Sequence, residues 1–290
     1  MRPEVLSSGE LELEVFPLIG GAIGGLSVSG QHIFRKARSE EVLDCDPSLM
    51  GAFPMVPYCN RIKDGSFWFN GQFIQLEKDF DMQTNSIHGI GWKREWSVES
   101  RSSNELRISY KHDGKDWPWR FLSKQYFQLQ PDRLVYELSV VNSDRSDMPA
   151  GLGLHPFFPE SKRARVTAKF EGCWNCTDEG LPSEFSVLKK PDQFSGALTM
   201  SEIELDHVYV GLRSGIKVKW DSRPYSLNLQ HAKDAHALVI YSPAKEDFFC
   251  IEPVSHLPNV INMGRSSGSM SILKPGDSLS MRIVFILIKE

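Results

Sequence analysis

Apolar and polar positions alternate in short runs along most of the chain. LELEV at 11–15 places an acid between each pair of apolar residues, the period of a strand with one buried face. Aromatic runs flank Asn-Gly in FWFNGQF, Phe67 to Phe73, a strong signal for a tight hairpin. LRISY (106–110), YFQLQ (126–130) and RLVYELSVV (133–141) follow, with Pro131 and Asp132 as the turn between the last two. RVTAKF, IKVKW, YSLNL, ALVIY, DFFCI and MRIVFILI continue the series and are rich in Val, Ile, Tyr and Phe. No stretch keeps an apolar period of 3.6 over a dozen residues, so helix is expected only as short turns near Asp46 to Gly51 and Ser201 to Leu205. Low-complexity tracts, internal repeats and linker-like segments are absent. The pattern predicts one all-β domain over residues 1–290, built from two large antiparallel sheets packed face to face. A concave sheet face or an open end is then where a ligand would sit.

Length and charge narrow this only a little. A chain of 290 residues suits one large domain or two small ones, and sandwiches often exceed 200 residues as single units. The net charge is −4, with acids and bases interleaved, which argues against a nucleic-acid surface. Five cysteines at irregular spacing make a poor disulfide framework and suit a reducing cytosol. Cys173 and Cys176 form one CxxC, but a structural zinc site needs a second pair and a redox CxxC a helix start. The apolar stretch VFPLIGGAIGGL (15–26) follows the acidic ELELE, where a secretion signal would be basic. No apolar run reaches the ~18 residues of a membrane span. A cytoplasmic protein without a membrane partner is expected.

Five segments set ionisable residues into apolar or glycine-rich surroundings: PYCNRIKDG (57–65), SIHGIGWKREW (86–96), GLGLHPFF (151–158), LDHVY (205–209) and CIEPVSHLPN (250–259). Each offers one candidate at an expected strand end or tight loop: Arg61, His88, His155, Asp206 and Glu252. Glu252 follows four apolar residues, and Pro253 is expected to end that strand. Desolvation there would raise its pKa toward the range of a general base, although a structural pairing with an arginine is equally open. His155 is framed by glycines and Pro156, a setting for a proton donor or acceptor near neutral pH or for a core histidine bonded to a carbonyl. Arg61 offers a planar donor fork for hydroxyl or carboxylate oxygens, or a structural salt bridge. Asp206–His207 lacks further ligands at metal spacing. Trp68, Trp92, Trp96, Trp117 and Trp119 could cover a sugar face or fill a core.

These segments resemble the aldose 1-epimerase (galactose mutarotase-like) family. GGAIGGLSVSG is similar to its first hairpin, PYCNRIKDGSFWFNG to its Asn-Arg-Ile motif and hairpin, and SIHGIGWKREW to its His-Gly segment. WPWRF at 117–121 is like an aromatic stretch of bacterial members. GLGLHPFF, LDHVY, CIEPVSHLPNVIN and LKPGDSLSMRIVF resemble the second histidine motif, the aspartate motif, the Glu-Pro segment and the closing strand. The resemblance covers most of the chain. It implies a β-supersandwich that interconverts the α and β anomers of a free aldose. Glu252 would take the proton of the anomeric hydroxyl as general base, and His155 would protonate the ring oxygen as general acid. Arg61, His88 and Asp206 would hold the sugar. No metal or organic cofactor is implied, the partner is a small-molecule sugar, and a homodimer is compatible.

Two departures bear on the substrate. The polar partners common after the histidine in galactose-type members are replaced by Pro156 and Phe157. Pro156 and Glu252 also differ from the pattern of hexose-6-phosphate members and favour an unphosphorylated sugar. Arg94 and Lys93, near His88, keep a phosphorylated hexose as an alternative. A carbohydrate-binding protein without turnover is the other.

Overall fold

The computed structural model describes residues 1–38, 42, 44–76, 84–188, 194–231, 235–264 and 270–290. Among these, two antiparallel sheets of eleven and eight strands carry the fold. The larger runs, edge to edge, through Glu4–Ser8, Leu11–Phe16, Ala22–Val28, Ala52–Met55, Gly153–Pro159, Phe248–Val254, Ala237–Ser242, Leu205–Val210, Gly172–Cys176 and Pro182–Val187, with Gln31–His32 paired beside Ala22–Val28. The smaller runs through Ser97–Arg101, Glu105–His112, Phe121–Gln130, Arg133–Asn142, Ser278–Lys289, Tyr225–His231, Ile216–Trp220 and Ala164–Thr167. This is the all-β, β-supersandwich architecture that the alternation pattern and the family resemblance predict.

The inner faces of both sheets feed one buried apolar cluster. Phe34 joins them directly, with its ring edge-on to Phe158 of the larger sheet at 5.5 Å and to Phe285 of the smaller at 5.0 Å. Polar ties across the layers are satisfied, as buried groups require. Trp220 donates its indole N–H to the Pro159 carbonyl at 2.9 Å. Gln125 donates to the Gly21 carbonyl and accepts from the Tyr136 hydroxyl.

Local readings fare unevenly. Ser66–Phe69 and Gln72–Gln75 form the expected hairpin, with Asn70 and Gly71 both at positive φ, as a two-residue primed turn needs. The expected helical turns are the 3₁₀ turns Pro47–Leu49 and Met200–Glu202, the first capped by the Asp46 side chain. Pro253 does not end its strand: Phe248–Val254 runs through it, as Gly153–Pro159 runs through Pro156. Trp96, Trp117 and Trp119 are core residues, and Trp68 is exposed at the hairpin. No helix among the described residues is long and apolar enough to cross a membrane.

Candidate functional site

The larger sheet turns one face to the core and the other to a cleft of about 1140 Å³. Side chains on a strand alternate between the two faces, so cross-strand partners line up in rows on the cleft side. Phe53 pairs with His155, and Glu252 with Val239. Phe157 pairs with Cys250, Cys250 with Tyr241, and Tyr241 with Asp206. The ladder between Gly153–Pro159 and Phe248–Val254 pairs Gly153 with Val254 and Phe157 with Cys250, and is interrupted in between. Pro156 and Pro253 lie in that gap, and neither has an N–H to donate. His155 and Glu252 face each other across it.

The two side chains touch. His155 Nε2 lies 3.2 Å from Glu252 Oε1, with only 11% and 3% of their side chains exposed. His155 packs against two neighbouring rings, stacked on Phe53 at 4.5 Å and on Phe157 at 4.6 Å, with those two rings tilted against each other at 6.1 Å. Phe53 in turn stacks on Trp92, and the Arg35 guanidinium lies over the Phe157 ring at 4.0 Å. These ring contacts hold the imidazole plane from one flank. Burial pushes Glu252 well above the usual carboxylate range, with Asp206 adding to the rise and Arg61 opposing it. Burial also pushes His155 down to about 3, helped by Arg35 and Arg61. Glu252 Oε2 and His155 Nδ1 are buried without a hydrogen-bond partner. Unsatisfied buried groups of this kind are costly and mark places where something else is to be bound.

The other three candidates join the same cleft from outside the large sheet or from its far strands. Arg61–Ile62 pairs with Ser86–Ile87 in a short ribbon that presents Arg61 and His88 together. His88 sits at positive φ, its N–H donating to the Asn60 carbonyl and its Nδ1 accepting from the Asn60 N–H. That leaves Nε2 as the protonated nitrogen of the neutral ring. Burial and the neighbouring His155 hold His88 well below the usual histidine range. The Arg61 Nη1 lies 3.9 Å from an Asp206 oxygen, and Asp206 is raised by burial against the pull of Arg61. Thus all five candidates converge, two of them inside strands rather than at the expected strand ends.

Several lining residues escaped the sequence reading. Phe53, Arg35, Tyr241 and Phe248 carry no motif that distinguishes them from core or surface residues. His256 is a support: its Nδ1 bonds the Leu257 carbonyl, and its Nε2 accepts the Cys59 N–H at 3.2 Å, bracing the loop that leads to Arg61. Arg94 does not line the cleft and is ion-paired to Asp116, and Lys93 lies over Trp92. Neither supports the phosphate contact that their sequence position suggested. Cys173 and Cys176 are free thiols outside the one metal-competent grouping among the described residues, which is His155, Cys250 and Glu252.

Fold and cleft together define a galactose mutarotase-like β-supersandwich. The chain belongs to the aldose 1-epimerase family, whose model matches residues 5–285. It is 29% identical to the uncharacterised protein YphB of Escherichia coli K12 over 97% of this chain and 98% of that one. A solved Escherichia coli K12 structure, provisionally described as an aldose 1-epimerase, superposes with a TM-score of 0.87 at 27% identity, covering 99% of both chains. A galactose mutarotase-like protein from Clostridium acetobutylicum gives a TM-score of 0.88 at 20% identity over 99% of this chain and 95% of that one.

Proposed function

We propose that the protein interconverts the anomers of a free aldose, with Glu252 and His155 as the acid–base pair. The observation that carries this reading is their buried 3.2 Å contact in the cleft wall, with unsatisfied polar atoms on both residues. Anomer exchange needs a base at the anomeric hydroxyl and an acid at the ring oxygen, and both oxygens are bonded to C1. Glu252 takes the hydroxyl proton, the C1–O5 bond breaks, and O5 takes a proton from His155. The open-chain aldehyde rotates about C1–C2. His155 then recovers its proton from the O5 hydroxyl as it attacks C1, and Glu252 returns one to O1. Atoms and charges balance without a cofactor. Arg61, His88 and Asp206 hold hydroxyls, and Phe53, Phe157 and Trp92 keep the imidazole from turning.

Exchange NMR over a panel of aldoses tests the reading. One or more should interconvert faster than in buffer, and Glu252→Gln and His155→Asn should each lose about 10²–10⁴-fold. Unchanged rates in both variants would remove the assignment. Saturable binding without any acceleration would instead indicate a binding protein. A phosphorylated aldose is a second reading, because Arg35, Lys36 and Arg38 also line the cleft. Against it, Glu246 and Asp247 share the wall, Arg35 bonds the Ser48 and Met50 carbonyls, and Lys36 is paired with Glu14. Adding 6-phosphates to the panel separates the two.

A further inference from the structure

We infer that His155, Cys250 and Glu252 form a binding site for one thiophilic divalent ion of the Zn²⁺ class, and that occupancy silences the acid–base pair. The second half rests on the function proposed above; the binding itself does not.

Cys250 stands between Phe248 and Glu252 on one strand, and both of these neighbours line the cleft. Alternation therefore puts the thiol on the cleft side, beneath Phe157. Its sulfur, a histidine nitrogen and a Glu252 oxygen lie within 4.8 Å of one another. Tetrahedral zinc places N, O and S donors at roughly 2.0–2.3 Å and hence roughly 3.3–3.8 Å apart. The His155–Glu252 pair is already at 3.2 Å, so a change at the thiol alone brings the set into range. The buried, unpartnered Glu252 Oε2 is a second observation pointing to a missing ligand.

Charge favours the ion as well. Burial disfavours both the Cys250 thiolate and the Glu252 carboxylate on their own. A divalent cation replaces the two protons and leaves a neutral cluster with the uncharged imidazole. Thiolate and imidazole together select zinc or cadmium over calcium or magnesium. Three protein ligands leave a fourth position toward the cleft, open to water or a sugar hydroxyl. The ion would occupy the His155 nitrogen and the Glu252 carboxylate, the two groups that exchange protons with the sugar.

Cd²⁺ is the probe, read by sulfur-to-cadmium charge-transfer absorption. The Cys45→Ser protein serves as the starting form, since Cys45 is exposed. One equivalent should bind, and adding Cys250→Ala should abolish the band. Cys250→Ser, closer in volume, should also lose the band and should raise the Zn²⁺ inhibition midpoint by about tenfold or more; it guards against a folding defect, with circular dichroism checking both variants. In parallel, Zn²⁺ should inhibit anomer exchange in the starting form, while the Cys250→Ala form stays active and becomes insensitive. A band or an inhibition midpoint that survives Cys250→Ala would overturn the proposal. If the starting form is inactive on every sugar, the functional reading fails while the absorption titration still decides the metal site.

Discussion

In the proposed reaction, the chemistry at His155 and Glu252 depends on one proton shared by two residues. Carboxylate with imidazolium, and carboxylic acid with neutral imidazole, hold the same number of protons. In the proposed mechanism the first state opens the ring and the second closes it, so one turnover would visit both. Burial raises Glu252 and lowers His155, which favours the second distribution in the empty cleft. A sugar hydroxyl on the carboxylate, with Arg61 nearby, favours the first. The pH profile follows from the same directions. Adding a second proton to the pair is opposed by burial, Arg35 and Arg61, with His155 held to about 3 instead of its ordinary 6.5. Removing the last proton is opposed by the elevation of Glu252. The profile of kcat/KM, which reports the free enzyme as a coupled pair, should therefore stay level as pH falls through 6.5 and decline only well below it. Polarimetry across pH checks this. An acid limb at 6.5 or higher would mean that the imidazole is not desolvated as the structure has it.

At the scale of elements, alternation made the strands readable because each large sheet has one face in the core. The hairpin was readable because only a few residue pairs fit its turn. The strand through Pro253 was misread because proline usually interrupts pairing. Here Pro156 and Pro253 share one seam, so the missing donors leave a local gap and the strands continue on either side. The convergence of five distant segments was legible only through resemblance, since nothing in local pattern sets Arg61 beside Asp206. The loop behind Arg61 was not legible at all. Gly180 has φ +70, and a Cβ there would overlap the Arg61 guanidinium. The end of a flexible side chain yields before backbone does, so Gly180→Ala should move Arg61 out of place. The expected result is a loss of about tenfold or more in kcat/KM, equivalent to about 1.4 kcal/mol or more. Positive φ itself should cost about 1–2 kcal/mol of stability. Gly276→Ala is the control, with φ +85 and no atom within 4 Å of its Cβ. It should share the stability loss and keep full activity. Equal activity in both variants would show that the position of Arg61 is unimportant.

Across the whole molecule, buried histidines tie stability to pH. His88, His112, His155 and His256 are buried and lie below their ordinary pKa in the folded state, each chiefly through desolvation. The unfolded chain binds protons at these sites first, so stability falls as pH drops below 6.5. Glu252 and Asp206 act in the opposite sense, because a raised pKa lets the folded state hold a proton that the unfolded state has lost above the ordinary carboxyl pKa. Four histidines outweigh those two carboxyls, and acid should loosen the sandwich before ordinary carboxylates titrate. His256 isolates the effect because it supports the cleft without lining it. Held at about 4, it accounts for about 3 kcal/mol lost between pH 6.5 and 4. His256→Gln keeps a donor and an acceptor for the Leu257 carbonyl and the Cys59 N–H but cannot titrate. Urea unfolding at pH 7 should show it less stable by about 1 kcal/mol, the scale of one imperfect hydrogen bond. On moving to lower pH its midpoint should fall less than that of the parent chain. Parallel declines in the two proteins would mean that His256 is already protonated in the fold, and that the loop carrying Arg61 is braced by something other than a neutral imidazole.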